Sequence, residues 1–316
     1  MDGGQRKASE VIDRGSKSFA AAARLFPVDK RESVHLLYAW CRYCDDEIDG
    51  ETLGFGSQPF DRGRASWRLE HLRAATIDAL AGRAQEAPFL GLQEVVSRHD
   101  IPDQYPLDLI TGMAIDAEGS AFETVDDVLR YSYHVAGTVG VMMALILDVR
   151  DRPTLQRASD LGIAFQLTNI ARDVISDAQR GRVYLPAAWL MDHGLRPTDV
   201  TLDDARPRVF DVTARLLQLG DAYYRSSMVG IHRLPLRSAW AITSALRIYR
   251  RIGEQLLNRG PEAWTDRITT AKATKLGLIG MAGVDVLSRR LRQCHALASD
   301  RKGLWTPSAL DLASVD

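Results

Sequence analysis

Two sets of residues stand at spacings that could do chemistry. In 166–177, which reads Q-L-T-N-I-A-R-D-V-I-S-D, the residues Gln166, Asn169, Asp173 and Asp177 fall three, four and four positions apart. In the stretch about 29–50, Tyr38, Arg42, Asp45 and Asp49 fall four, three and four apart. On an α-helix either set lines one face. Phe165, Leu167, Ile170, Val174 and Ile175 cover the other faces of the first segment, so it reads as a buried helix with a polar stripe. Ionised carboxylates are too costly to bury unpaired, so something cationic must meet them. Oxygen ligands without histidine point to a hard divalent ion such as Mg²⁺. The alternative is a solvated helix face with a few acids. Arg42 lies one turn before Asp45 and could pair with it or bind an anion; Asp46 and Glu47 are expected to face solvent.

The elements that must carry these stripes follow from apolar periodicity and punctuation. Residues 1–5 and about 300–316 are expected to be loosely ordered. A helix is predicted over about 6–23, interrupted near Gly15-Ser16-Lys17-Ser18-Phe19. There Ser16 and Ser18, beside free backbone N–H groups, could receive an anion or simply cap a break. The small run Ala20 to Ala23 would let another helix, or a long ligand, lie close. Pro27 and Asp29 precede the first acidic helix, and the Gly, Pro and Ser content of 51–65 reads as a loop. Helical spacing resumes over about 66–82, 87–99 and 104–118, with Pro88, Pro102 and Pro106 marking starts.

A helix over about 124–148 opens on acids that suit its N-terminus. It carries Tyr131, Tyr133 and His134, and Gly137 and Gly140 permit close approach of a partner. His134 reads as a satisfied core residue. Asp151 and Pro153 start the helix, about 153–177, that ends in the second stripe. Arg182 and Tyr184 follow at once, where they could close over whatever the carboxylates hold or form an ordinary basic loop. Residues 193–206 are turn-rich. Long helices are predicted over about 206–229, 236–258 (with Tyr249) and 271–298. No strand-like alternation persists, no glycine-rich dinucleotide or phosphate loop appears, and no linker divides the chain. The expectation is a single all-α domain over 1–316.

Composition narrows the class. With 40 Lys and Arg against 41 Asp and Glu, the net charge of −1 does not fit a basic-patch nucleic-acid binder. Three cysteines, an odd number in a large chain, suit a reducing compartment. Cys41 and Cys44 lack a second pair or an adjacent histidine to complete a zinc site and read as small helix fillers. The N-terminus lacks a secretory apolar core. The longest apolar run, 135–147, is shorter than the ~20 residues that span a bilayer. A cytoplasmic protein is expected, with membrane contact at most peripheral, at the inner membrane.

Far apart in sequence, the two stripes can face each other across a bundle core. At ~4 Å and an effective dielectric near 20, each close carboxylate pair costs about 4 kcal/mol. Divalent ions remove that cost and leave coordination positions that a diphosphate can fill. Arg42, Arg172, Arg182 and the Ser16/Ser18 turn could complete the anion site. A diphosphate so held is a good leaving group, and an apolar interior would shield the resulting carbocation from water.

The motifs G-S-K-S-F, Y-A-W-C-R-Y-C-D-D-E-I-D, H-V-A-G-T-V-G, Q-L-T-N-I-A-R-D-V-I-S-D-A-Q-R-G-R-V-Y-L-P and L-P-L-R-S-A-W occur in that order over roughly 10–290. In this set the chain resembles the squalene/phytoene synthase family, most closely its bacterial, phytoene-forming members. The resemblance implies an isoprenoid-synthase helical fold with a central apolar cavity and a head-to-head prenyltransferase of carotenoid biosynthesis. It implies Asp45, Asp49, Asn169, Asp173 and Asp177 at a Mg²⁺ (or Mn²⁺) cluster. Ser16, Ser18, Tyr38, Arg42, Gln166, Asn169, Arg172 and Arg182 match positions around substrate diphosphate. Tyr131, Tyr184 and Tyr249, with Arg182, match catalytic positions beside the intermediate, where a ring face or hydroxyl can steady a cation or help discard a proton.

The implied reaction joins two geranylgeranyl diphosphates through cyclopropyl prephytoene diphosphate to phytoene, releasing two diphosphates. Squalene-forming relatives reduce the final cation with NADPH and usually carry a C-terminal anchor. The polar ending D-L-A-S-V-D favours the route without NADPH. A relative taking the fifteen-carbon farnesyl diphosphate to dehydrosqualene or a squalene-type product is the alternative. The small side chain of Ala23 is expected to leave room for the longer tail. Other enzyme classes fit less well. A single-substrate terpene cyclase would leave carbon number unchanged, and a di-iron bundle needs a second E-x-x-H besides Glu32 to His35. His99-Asp100 alone is too little for a phosphohydrolase, and a non-enzymatic helical protein would need neither stripe.

Overall fold

The computed structural model describes residues 12, 17–50, 62–266, 268–291 and 301–307. Every regular element among them is helical. In chain order they are α1 (Lys17–Ala23), α2 (Val28–Asp49), α3 (Arg62–Leu80), α4 (Ala87–His99), α5 (Gln104–Glu118) and α6 (Val125–Ser132). A π-helical turn (Tyr133–Gly137) leads into α7 (Thr138–Ile146). Then follow α8 (Arg152–Gln179), α9 (Ala187–Asp192), α10 (Arg206–Ile231), α11 (Leu236–Arg259) and α12 (Lys272–Leu291).

The axis of the bundle is α8, with α7, α10, α11 and the π turn packed around it. Its ends are set locally. The Asp151 carboxylate accepts from the Thr154 backbone N–H at 3.1 Å, and Pro153 stands in the first turn. Beyond the other end, Gly181 supplies the positive φ of 83° that the departing chain needs. Leu155, Leu161, Ile163, Ala164, Leu167, Ile170 and Val174 are buried on several sides, as expected of a helix that is apolar nearly all round. Two glycines set the crossing with α7 and the π turn. A Cβ at Gly162 would run into the Ala136 carbonyl and lie 2.8 Å from Gly137 Cα; one at Gly140 would strike the Ala158 carbonyl. The backbones therefore touch here, as the glycines of the H-V-A-G-T-V-G stretch led one to expect.

On α2, Val34, Leu37, Trp40, Cys44 and Ile48 are buried at helical spacing, which turns the Tyr38–Arg42–Asp45–Asp49 stripe toward α8 across a cavity. Gly50, at φ 65°, ends the helix in the left-handed conformation. A Thr124/Asp127 capping box starts α6.

Three expectations are corrected. The helix expected over 124–148 is broken in two by the π turn, one residue wider than an α turn. Residues 62–65, read as loop, already belong to α3. The segment 301–307, expected to be loosely held, is pinned. Arg301 donates to both carboxylate oxygens of the fully buried Asp160 at 2.7 and 2.8 Å, and the Trp305 N–H donates to Tyr223 Oη at 3.1 Å. A buried acid needs such a partner, and sequence spacing could not supply it. Among the described residues, no helix is long and apolar enough to cross a membrane.

Candidate active site

A cavity of about 1690 Å³ opens between α2, α5, α7, α8 and α11. Its wall includes Tyr38, Arg42, Asp45 and Asp49 from α2, and Gln166, Asn169, Arg172, Asp173 and Asp177 from α8. Arg182 and Tyr184, from the loop after α8, Tyr131 from α6 and Tyr249 from α11 line it too. Thus all but two of the site residues expected from sequence share one space. Ser16 lies outside the described residues, and of Ser18 only its backbone place in α1 is described.

Guanidinium groups sit on the carboxylates. Arg42 reaches Asp45 at 3.0 Å and Asp46 at 2.6 Å. Arg172 lies on Asp173, with Nε donating to Oδ1 at 2.9 Å. Arg182 crosses the cavity to Asp49, so the loop does close over the first stripe. Asp46, expected to face solvent, is instead 13% exposed at its side chain and accepts twice from Arg42. The i,i+4 spacing of Arg42 and Asp46 was visible but competed with the i,i+3 pairing to Asp45.

The electrostatics record crowded negative charge. Burial first, and then Asp49, pushes Asp45 up from 3.8 to about 7 against the pull of Arg42. Burial first, then Asp173, pushes Asp177 up to about 8. Asp49 also acts on Asp177, which places the two stripes within electrostatic reach of each other. The Asn169 amide donates to Gln166 Oε1 at 3.4 Å, and both residues line the wall.

The tyrosines form two groups, not one. Tyr131 and Tyr184 stack with centroids 5.1 Å apart, and Phe122 packs against both at 5.4 and 5.3 Å. Their hydroxyls donate to the two carboxylate oxygens of one residue, Asp116, each at 2.7 Å. Tyr249 stands on another wall, stacked on Phe165 at 4.3 Å. Asp116 is the cavity residue that sequence reasoning missed. It occupies the last turn of α5, beside Glu118 and Gly119, where an acid reads as a solvated helix end. One signal was available: a carboxylate in a C-terminal turn with no basic neighbour opposes the helix dipole and needs a reason to be there.

The apolar part of the cavity runs along Leu109, Met113, Val139, Met143, Leu147 and Leu161. From α1, Ala20 and Ala21 line the wall. Ala23, expected to border the tail space, is fully buried in the core instead, while Ala20 and Ala21 line the cavity. Cys41 borders the cavity, Cys44 is buried, and both are free thiols within α2. His134 is half-buried and satisfied, its Nδ1 3.1 Å from the Asp108 carbonyl.

Residues 12–276 match the Squalene/phytoene synthase family, so the chain belongs to that family. It is 50% identical over 299 residues to a 15-cis-phytoene synthase of a Paracoccus species, covering 94% of this chain and 96% of that one. It is 45% identical over 294 residues to the 15-cis-phytoene synthase of Enterobacter agglomerans, covering 93% and 99%. A solved dehydrosqualene synthase in complex with ligand superposes with a TM-score of 0.78 at 26% identity, covering 90% of this chain and 97% of that one. The fold is therefore the all-α fold of squalene and dehydrosqualene synthases. The chain is a prenyltransferase of isoprenoid and carotenoid biosynthesis, and its activity is of the phytoene synthase kind.

Proposed function

We propose that the chain condenses two geranylgeranyl diphosphates head to head, through the cyclopropyl intermediate prephytoene diphosphate, to phytoene and two diphosphates. The observation that carries this is the union of two acidic stripes and a long apolar wall in one cavity of about 1690 Å³. That exceeds the ~300–1,000 Å³ that encloses one drug-sized ligand, as two long substrates require.

Mg²⁺, or Mn²⁺, is the proposed cofactor, and the donor set fits it. Among the described residues, no three His, Cys, Asp or Glu side chains converge closely enough to hold an ion by themselves. Mg²⁺ commonly binds through one or two carboxylates, with substrate phosphate oxygens and water completing the shell. Asp45 and Asp49 on one side, and Asn169, Asp173 and Asp177 on the other, would hold it. When bound it absorbs charge as the carbon–oxygen bond to diphosphate breaks.

The side chains do the rest. Arg42, Arg172 and Arg182 can exchange their carboxylates for diphosphate oxygens, presenting paired N–H donors; Gln166 and Tyr38 border the same space. The apolar wall excludes water from the allylic cation. Ring faces of Tyr131, Tyr184 and Tyr249 stand beside it. The last step sheds a proton, so no NADPH is needed.

The test is incubation with geranylgeranyl diphosphate and Mg²⁺ without NADPH. A forty-carbon hydrocarbon is expected, and a twenty-carbon cyclic product would overturn the reading. The likeness to a dehydrosqualene synthase favours, as second reading, use of the fifteen-carbon farnesyl diphosphate; a thirty-carbon product made faster than the forty-carbon one would select it. Peripheral membrane contact belongs to the same proposal. It is supported by exposed Leu276, Val284, Leu287 and Leu291 along α12. Failure of the active enzyme to sediment with vesicles would remove it.

A further inference from the structure

Asp116 is half-buried in the wall of the cavity. Both its oxygens accept phenol protons, from Tyr131 and Tyr184, which come from α6 and from the loop after α8. Those partners stand fifteen and sixty-eight positions away in the chain. Stacking at 5.1 Å holds the two rings together, and Phe122 buttresses both. Arg182 acts on Asp116 as well as donating to Asp49. A carboxylate that holds two phenols at the wall of a cation-forming cavity is suited to take a proton through either one.

Given the prenyl coupling proposed above, on which this rests, we propose that Asp116 is a positioning residue whose carboxylate holds the Tyr131 and Tyr184 hydroxyls toward the intermediate and receives the proton that one of them takes from it. In that step a C–H bond adjacent to the cationic carbon breaks, and its electron pair becomes the π bond of a new carbon–carbon double bond. The proton goes to the phenol oxygen, while the phenol's own proton passes along its 2.7 Å hydrogen bond to Asp116. The tyrosine ends neutral and the aspartate protonated. No oxidant or reductant enters. Burial, with Arg182 and the two phenols acting against it, places the carboxyl at about 6, above the ordinary carboxylate range. Burial, then the charge of Asp116, holds both phenols well above theirs, so each passes a proton on instead of resting as phenolate.

The experiment is Asp116→Asn in the full chain with geranylgeranyl diphosphate and Mg²⁺, measuring hydrocarbon and released diphosphate together. Wild type is expected to release two diphosphates per hydrocarbon. The variant leaves the acidic stripes and arginines in place, so ionisation continues. Its cation, with no relay, is captured by water. Hydrocarbon formation should fall by about 100-fold, KM should stay within about threefold, and diphosphate release should outrun hydrocarbon with prenyl alcohol making up the difference. Asp116→Glu, which keeps a carboxylate, should restore most of the coupling. A wild-type ratio of two in Asp116→Asn, or an equal fall of both products, would overturn the relay. Should Asp116→Asn fail to fold, the Tyr131→Phe/Tyr184→Phe double variant carries the test, and normal coupling there overturns it equally. Absence of hydrocarbon from wild type would instead strike the proposed reaction itself.

Discussion

On α2 the aspartates of the stripe are held by guanidinium groups, Asp45 by Arg42 of its own helix and Asp49 by Arg182 from across the cavity. On α8, Asp173 is held by its neighbour Arg172, while Asp177 is pushed up to about 8, chiefly by burial and by Asp173. Asp45 reaches only about 7 because Arg42 offsets part of the same cost. Each D-x-x-x-D pair thus keeps one carboxylate that ionises reluctantly near neutral pH; on α2 the ion pair with Arg42 acts against that rise, and on α8 Arg180 and Arg182 do. The same spacing on two helices gives two electrostatic environments, because cations arrive from elsewhere in the fold.

The largest effect should come from removing charge on either side. Asp45→Asn and Asp173→Asn are each expected to lower kcat by about 1,000-fold while the far-ultraviolet circular dichroism stays helical. Substantial turnover in either variant would detach that helix from the proposed metal–diphosphate site.

A second measurement tests both stripes by pH. Asp45, Asp116 and Asp177 hold protons in the folded chain to about 7, 6 and 8, against 3.8 as the ordinary carboxylate value. Between about pH 4 and 8 the native state therefore binds more protons than the unfolded one, and stability falls as pH rises. The melting temperature in chelator should drop from pH 5.5 to pH 8. Asp177→Asn and Asp45→Asn should each flatten that drop, and Mg²⁺ with inorganic diphosphate should reverse it in wild type. A flat profile in wild type would remove the raised carboxylates from both helices.

The smallest effect concerns the tail end of the cavity, where both stripes are remote. Ala21→Phe places a ring at the wall that Ala20 and Ala21 form and should lower twenty-carbon substrate turnover about tenfold relative to fifteen-carbon substrate. Equal loss on both substrates would move the length-setting surface elsewhere. Ala23→Phe, by contrast, overpacks a fully buried position and should cost stability, about 1–3 kcal/mol, before it changes chain length.

Much of the helical order was legible because apolar residues recur at helical spacing between prolines and glycines. The edges of α4 and α5 and the long run of α11 follow directly from it. The π turn was not legible: its five residues, Y-H-V-A-G, carry no local preference that distinguishes one extra residue in a turn. It forms where Tyr133 donates to Asp108 and where Gly137 packs beside Ser159, contacts made with α5 and α8. Arg301 likewise finds Asp160 at a distance of 141 positions, which no local pattern encodes. The candidate site was legible where its residues repeat along one helix and illegible where they converge singly, as Asp116 shows.

By itself the sequence determined which side chains share a helix face, since the α-helical period is fixed by backbone geometry. That sufficed to group four polar residues on α2 and four on α8, and to set apolar residues behind them. Tertiary structure decided which charges meet: Arg182 with Asp49, two tyrosines with Asp116, and Ala20 and Ala21, but not Ala23, with the cavity. Coulomb and hydrogen-bond energies depend on distances through space, and only the packing of helices against the glycines of α7 and α8 sets those distances.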